Sequence, residues 1–417
     1  MRIAVIGAGI SGITAAYLLQ KKHRVTLFEK NDYFGGHTNT ITIPAGPDAG
    51  TPVDTGFIVL NNRTYPNFIK FLKQLSVATE RTEMSFSYDD RGTGLSYATR
   101  SLNTLFAQRV NLFKPWYWRF IFEIKRFLLQ TKEDYYKDRL EGLTLGQYLQ
   151  KLNYSDHLIH KFIVPWSAAI WSAAGFKMLE FPMKTFARFY ENHGLLSVDE
   201  TVPWYFVKGG SRTYVRAFLK SFQGKTFTET PVIGVKRHPD VTVSFQNKSQ
   251  ETFDKVVIAV HADEAFGLLE DPSEDEKRLL GSWKYSQNTA FLHTDTNWMP
   301  ENRRAWASWN YIRMPENKEE SPVTLTYHMN RLQNLNTQKD YLVTLNPSIE
   351  IKNEFIIKKI HYTHPLYSFS AFESQKELAK LNGADNTFFC GSYFGYGFHE
   401  DGVKSAIEVG KHFNIEL

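Results

Sequence analysis

The sequence predicts an α/β protein in which a parallel-sheet domain is interrupted by two insertions of α+β character. Two observations predict it. The chain opens with "RIAVIGAGISGITAAYLLQKKHRVTLFEK", an apolar strand, a glycine turn, an amphipathic helix and a second strand, which together make a Rossmann-like β-turn-α-β unit. Strand and helix patterns of the same kind return near the middle and the end of the chain, and between them helical periodicity gives way to alternation.

The elements follow in order. Ile3 to Ile6 read as the first strand, Gly7, Gly9 and Gly12 as GxGxxG, then a helix to about Lys21 and a strand ending at Glu29. Gly7 permits the tight turn, Gly9 admits a pyrophosphate to the backbone, and Gly12 lets helix and strand pack closely. Ile10 and Ser11 stand in the first helical turn, where free N–H groups and the helix dipole favour phosphate. Glu29, 17 residues after Gly12 and followed by Lys30, is placed to accept hydrogen bonds from ribose hydroxyls. The pattern is that of a dinucleotide site, and Glu29 serves FAD and NAD equally. "NDYFGGHTNTITI" and "PVDTGFIVL" come next. Gly35 and Gly36 would bring a second backbone to the pyrophosphate, with His37 and Thr38 directly after, and Thr55-Gly56 follows a short hairpin.

With that second glycine pair the sequence resembles the flavin-containing amine oxidase and phytoene desaturase superfamily. The resemblance continues in "FVKGGSRTYVRAFLK", in "FTETPVIGVKR", in "FDKVVIAVHADEAFGLL" and in the closing "FFCGSYFGYGFHEDGVKSAIEVG". It implies an amine-oxidase-like fold, an oxidoreductase and non-covalent FAD. It also implies that Val232 brackets the adenine, that Gly391 and Ser392 follow the last strand, and that Gly402, after Asp401, opens a helix aimed at the flavin. A discontinuous FAD domain of residues 1–80, 204–270 and 385–417 follows, with a substrate domain of 81–203, expected to be helix-rich, and 271–384, expected to be strand-rich. The sequence departs from the family twice. Ser392 and Tyr393 stand where relatives often carry an acid, and His399 stands where many amine oxidases place a tyrosine of the substrate cage.

Composition sets outer bounds. A net charge of +5 over 417 residues and the absence of long basic runs give no nucleic-acid signature. The single cysteine, Cys390, excludes an internal disulfide and a cysteine-built metal site, and we expect no metal. Neither a signal peptide nor a membrane-spanning run is read, so a cytoplasmic location is expected, with peripheral contact at the inner face of a membrane left open. Aromatic residues make up 15% of the chain, which calls for an apolar pocket or an interface.

The insertions carry much of that content. "FKPWYWRFIFEIKRF", residues 113–127, holds seven rings and four basic residues against one acid, a composition that suits either a membrane-surface helix or a helix packed on the core. "FIVPWSAAIWSA" sets Trp166 and Trp171 among small residues as walls of an apolar pocket, with Tyr393 and Phe394 as further walls. "MPENKEESP" reads as a surface loop. "GGHTNT", "VDTGFIVLN", "TYPNF" and "GSYFGYGFHEDG" resemble more closely a subgroup of FAD-dependent oxidoreductases associated with cyclopropane-fatty-acid synthases. That implies dehydrogenation of a methylated, unsaturated or cyclopropane-type fatty acyl chain and a functional link to such a synthase. An amine or polyamine oxidase and a redox-neutral isomerase are the alternatives. His399 is either a base or a packed ring, and Tyr396 and Glu400 are the other candidates for proton transfer.

Overall fold

The computed structural model describes residues 1–171, 175–197, 202–316 and 324–417. Most of the loop expected at 314–322 and the end of the segment at 162–173 lie outside the described residues. At the centre is a five-stranded parallel sheet, in the order Lys225–Phe227, Arg24–Phe28, Arg2–Ile6, Lys255–Ile258 and Thr387–Phe389. Its strands come from three separated stretches of chain. The first strand is buried on both faces, as parallel strands are. Ile3 and Val5 meet one core, while Ala4 and Ile6 meet another.

The helices Ile10–Leu19 and His399–His412 cover one face of this sheet, and Tyr214, Val215 and Phe218 of Arg212–Ser221 join the same core. The first helix stops two residues short of Lys21. The other face is covered by the antiparallel strands Val232–Lys236, Val241–Phe245 and Gln250–Phe253. Arg237, at the end of that layer and 1% exposed, binds Asp271 at 2.9 Å and Glu276 at 2.5 Å. Glu276 also accepts from the Ser273 N–H, as the far half of a capping box. Truncating one partner of a buried ion pair leaves the other unpaired, so Arg237→Ala should cost about 3–5 kcal/mol, read as a lower unfolding midpoint in urea.

A seven-stranded sheet forms the second half of the molecule, in the order Ile356–Leu366, Lys284–His293, Leu342–Leu345, Leu325–His328, Trp309–Arg313, Phe86–Asp90 and Leu95–Ala98. The last two strands form a hairpin at the start of the first insertion, whose remaining elements from Leu102 to Asn192 are helices. Every residue of both strands is buried, Ser87 and Asp89 included, and Phe86–Asp90 pairs in parallel with Trp309–Arg313, more than 200 residues away. The helices Pro115–Tyr136, Leu145–Lys151, Val164–Trp171 and Met183–Asn192 then enclose an aromatic core. Strands Val59–Asn61, Trp204–Val207 and Thr79–Thr82 form a small sheet.

Candidate active site at the glycine loops

Residue packing at the first turn follows from the lack of side chains. Gly7 has φ +95°, and a β-carbon at Gly12 would lie 1.8 Å from the Gly7 carbonyl oxygen. Helix and strand therefore approach to a distance only glycine allows. Gly9 differs: a β-carbon there would have nothing within 4 Å. Gly35 donates its N–H to the Ala8 carbonyl at 2.8 Å, and Gly36, at φ +58°, lies against Gly9. Two glycine loops thus meet over a helix N-terminus with open space at Gly9, a cradle that fits a pyrophosphate.

The acid of the second strand closes this cradle. Glu29 is 5% exposed; one carboxylate oxygen accepts from the Ala8 N–H at 2.9 Å, and the other from Asn31 N–H and Nδ2. Lys30 points outward and pairs with Glu264 at 2.5 Å, so its cation is committed at the surface. Val232 begins its strand half-buried, beside a register shift before Gly234. Thr55 donates to the Asn39 carbonyl and meets the Tyr362 hydroxyl at 2.9 Å, and a β-carbon at Gly56 would lie 2.1 Å from the His37 carbonyl oxygen.

The closing motif departs from expectation in one respect. Its helix starts at His399, three residues before Gly402. Gly402 instead lies in the first turn, where a β-carbon would sit 2.7 Å from Ser11 Oγ and 2.8 Å from Ile10 Cγ2. Glycine is needed there so that the two helix N-termini can converge. Gly391 donates its N–H to Ser405 Oγ at 3.0 Å, and Ser392 opens a short turn to Phe394. Asp401 accepts from the Phe398 N–H at 2.9 Å, and a β-carbon at Gly395 would lie 2.0 Å from its Oδ1. Enclosure in that loop pushes its carboxyl up to about 7, against the pull of the Phe398 and Tyr396 amides.

The three candidates for proton transfer have structural partners. The His399 ring stacks on Phe57 at 3.7 Å, meets Phe68 and Tyr214, and its Nε2 bonds Thr38 Oγ1 at 2.9 Å. Burial lowers its pKa to about 3, so it is a neutral packed ring. Glu400 accepts from the Asn67 and Phe68 N–H groups at 3.1 and 2.9 Å and from Asn67 Nδ2 at 2.6 Å. It caps the helix Pro66–Gln74 from outside that helix. Tyr396 accepts from Arg188 Nε, and the guanidinium lies 5.5 Å from its ring centre.

The expected pocket walls divide. Trp166 is half-buried against Phe162 and Tyr190, while Trp171 is 8% exposed among Phe181, Phe189 and Tyr190. Phe394 is half-buried, whereas Tyr393, 1% exposed, packs on Trp283 under the parallel sheet. Tyr393 is thus a core residue in this structure rather than an open wall.

Sequence reasoning missed a ring cluster around His37. Tyr362 stacks on it at 4.9 Å, and His364 and His261 lie 5.4 and 6.0 Å away, with Tyr285 stacked on His261 at 4.4 Å. His37 Nε2 is buried with no hydrogen-bond partner. Burial first, then the neighbouring histidines, hold its pKa well below the usual histidine value, and burial lowers His364 to about 4. The cluster joins residues from three distant stretches, and only the position of His37 after the second glycine pair hinted at it. Among the described residues no set of His, Cys, Asp or Glu side chains is arranged to hold a metal ion.

Comparison with known proteins supplies the family context. The model of the family "Flavin containing amine oxidoreductase" matches residues 10–336. A 4,4'-diapophytoene desaturase (4,4'-diaponeurosporene-forming) of Staphylococcus aureus is 30% identical over 185 residues, 39% of this chain and 35% of that protein. The likeness to this relative therefore spans about a third of its length. Cyclohexylamine oxidase from Brevibacterium oxydans superposes with a TM-score of 0.68 at 15% identity, covering 99% of both chains. A CLA-producing fatty acid isomerase from P. acnes superposes at 0.61 and 15% identity, covering 99% of this chain and 98% of that one. At such identities the likeness is one of fold.

Proposed function

The chain belongs to the flavin-containing amine oxidoreductase family, and from that premise we propose that it is a FAD-dependent oxidoreductase that dehydrogenates a modified fatty acyl chain. FAD is the group that fits, because the cradle combines the open approach at Gly9 with Glu29 and the second glycine loop. Non-covalent binding fits Cys390, which is fully buried in the core and whose thiol burial pushes up.

The observation that carries the apolar substrate is a line of rings running from the closing motif into the helical insertion. Phe398 meets Phe189 at 5.4 Å, Phe189 meets Trp171 at 4.7 Å, Trp171 meets Phe181 at 4.8 Å, and Phe181 meets Phe372 at 5.6 Å. The cation beside this line is Arg188, already over the face of Tyr396. The 30% relative bears the name of a desaturase, the same reaction class.

When bound, the flavin supplies the acceptor for a hydride, so that loss of a proton from the neighbouring carbon leaves a double bond. The chain's part is to exclude water and hold that proton. His37 is the candidate for it, since Nε2 faces no other partner and the imidazole stays neutral. His37→Asn should slow the reductive half-reaction about 100-fold while keeping the flavin bound.

The reading is tested by anaerobic mixing of the purified protein with phospholipids carrying methyl-branched or unsaturated chains, with cyclohexylamine and putrescine as the comparison. Bleaching of the flavin by lipid and not by amine is expected. Bleaching by amines alone would overturn it. A lipid recovered with its double bond moved and the flavin still oxidised would make the protein an isomerase.

A further inference from the structure

The helix Pro115–Tyr136 and the turn before it leave an apolar surface uncovered. Its inner face is core: Tyr117, Phe120 and Phe127 are at most 1% exposed. Its outer face is not. Trp118, Phe122 and Leu129 are 51%, 67% and 50% exposed, and with Lys125 they fall within one narrow stripe of a 3.6-residue helix. Ahead of them Phe113 is 85% exposed and Leu112 41%. Of the 14 large hydrophobic residues exposed among the described residues, eight lie between Leu102 and Leu129. Such a concentration marks an interaction site rather than scattered surface apolarity.

The patch is built and not frayed. Trp118 Nε1–H donates to the Leu112 carbonyl at 2.9 Å, and its ring meets Phe106 at 4.9 Å. These contacts hold the turn Arg109–Phe113 against the helix and leave Phe113 at the tip.

Charge decides what covers it. Residues 102–129 carry Arg109, Lys114, Arg119, Lys125 and Arg126 against the single acid Glu123, which is buried and bonded to Arg119 and Ser155. A second copy docking by a two-fold would set these cations against their own kind. An anionic lipid surface complements both features, with rings entering the acyl boundary and the basic flanks meeting headgroups. No helix among the described residues is long and apolar enough to cross a membrane. We propose that this face docks the protein onto an anionic bilayer surface, with the helix lying in the plane of the interface and Phe113 and Phe122 inserted. The proposal rests on this surface alone and holds whichever substrate the flavin site takes.

The test is flotation of the flavin-loaded protein with vesicles of phosphatidylcholine alone or mixed with phosphatidylglycerol. The protein should float with the phosphatidylglycerol vesicles at low salt, at least about tenfold more than with phosphatidylcholine, and come off as salt rises. The double variant F113D/F122D should bind those vesicles about tenfold or more weakly, with flavin content and thermal midpoint unchanged because both rings are exposed. Failure of the wild-type protein to float with phosphatidylglycerol at low salt would overturn the proposal. So would equal flotation of the double variant. If the wild-type protein is a dimer that the double variant splits, the face is a contact between copies and the proposal falls.

Discussion

Replacing Gly9 by alanine is expected to leave a folded protein that has lost its flavin, whereas the same change at Gly12 should damage the fold itself. Both glycines belong to one short motif, and the difference lies in what their missing side chains would meet. A β-carbon at Gly9 has nothing within 4 Å, so the polypeptide tolerates it, and the methyl group occupies only the space a pyrophosphate needs. Losing two charge-assisted bonds from that backbone costs about 3–6 kcal/mol, or roughly 100-fold or more in affinity. A β-carbon at Gly12 collides with the Gly7 carbonyl at 1.8 Å. Helix and strand must separate, an overpacking cost of about 1–3 kcal/mol or more, and the flavin is lost as a consequence. The ratio of flavin to protein absorbance after purification, with the thermal midpoint of each flavin-free protein, separates the two. Gly9→Ala retaining full flavin would show that no phosphate approaches there.

How far such a site can be read from sequence depends on whether its parts are local. The glycine turn, Glu29 and the Gly35-Gly36 loop were legible because each depends on neighbours within a few residues and on backbone geometry that only glycine supplies. The uses of Glu400 and His399 were not. Glu400 looks like a helix-start acid in its own segment, yet its carboxylate caps a helix more than 300 residues away in sequence. His399 looks like a catalytic ring or a cage wall, and only Phe57, Thr38 and Tyr214, brought together by the fold, show that its ring is packed and hydrogen-bonded. The hairpin Phe86–Asp90 and Leu95–Ala98 was hidden for a related reason, since its alternation spans only a few residues and its partner strand Trp309–Arg313 lies more than 200 residues away. In the aromatic helix Pro115–Tyr136 the sequence did not separate core rings from surface rings. Three of its rings are core, and the surface stripe came into view only once those were assigned.

Acidification from pH 7 to pH 5 is expected to destabilise the protein by roughly 4 kcal/mol. Burial lowers several histidines, among them His37, His261 and His328, and four set the scale of the loss: His193 and His364, lowered to about 4, and His293 and His399, lowered to about 3. In the unfolded chain each takes up a proton near its ordinary value of about 6.5. The unfolded state then binds more protons than the folded one, and each histidine removes about 2 kcal/mol over this range. Two buried carboxyls act in the opposite sense. Asp54, raised to about 6 among the Ser211 and Thr40 donors, and Asp401, raised to about 7, take up protons in the folded state before the unfolded one. Their raised values favour the folded state progressively as pH falls through 7 and 6, offsetting about half of the histidine loss. The thermal midpoint of the flavin-loaded protein should therefore fall by about 5 °C between pH 7 and pH 5. His399→Phe identifies one source of the slope. It loses the bond to Thr38 at every pH but keeps a ring against Phe57, so the variant should begin less stable at pH 7 and lose about 2 kcal/mol less on acidification. An unaltered pH dependence in that variant would mean that His399 takes up its proton in the folded protein and that the space around Phe57 admits a charge.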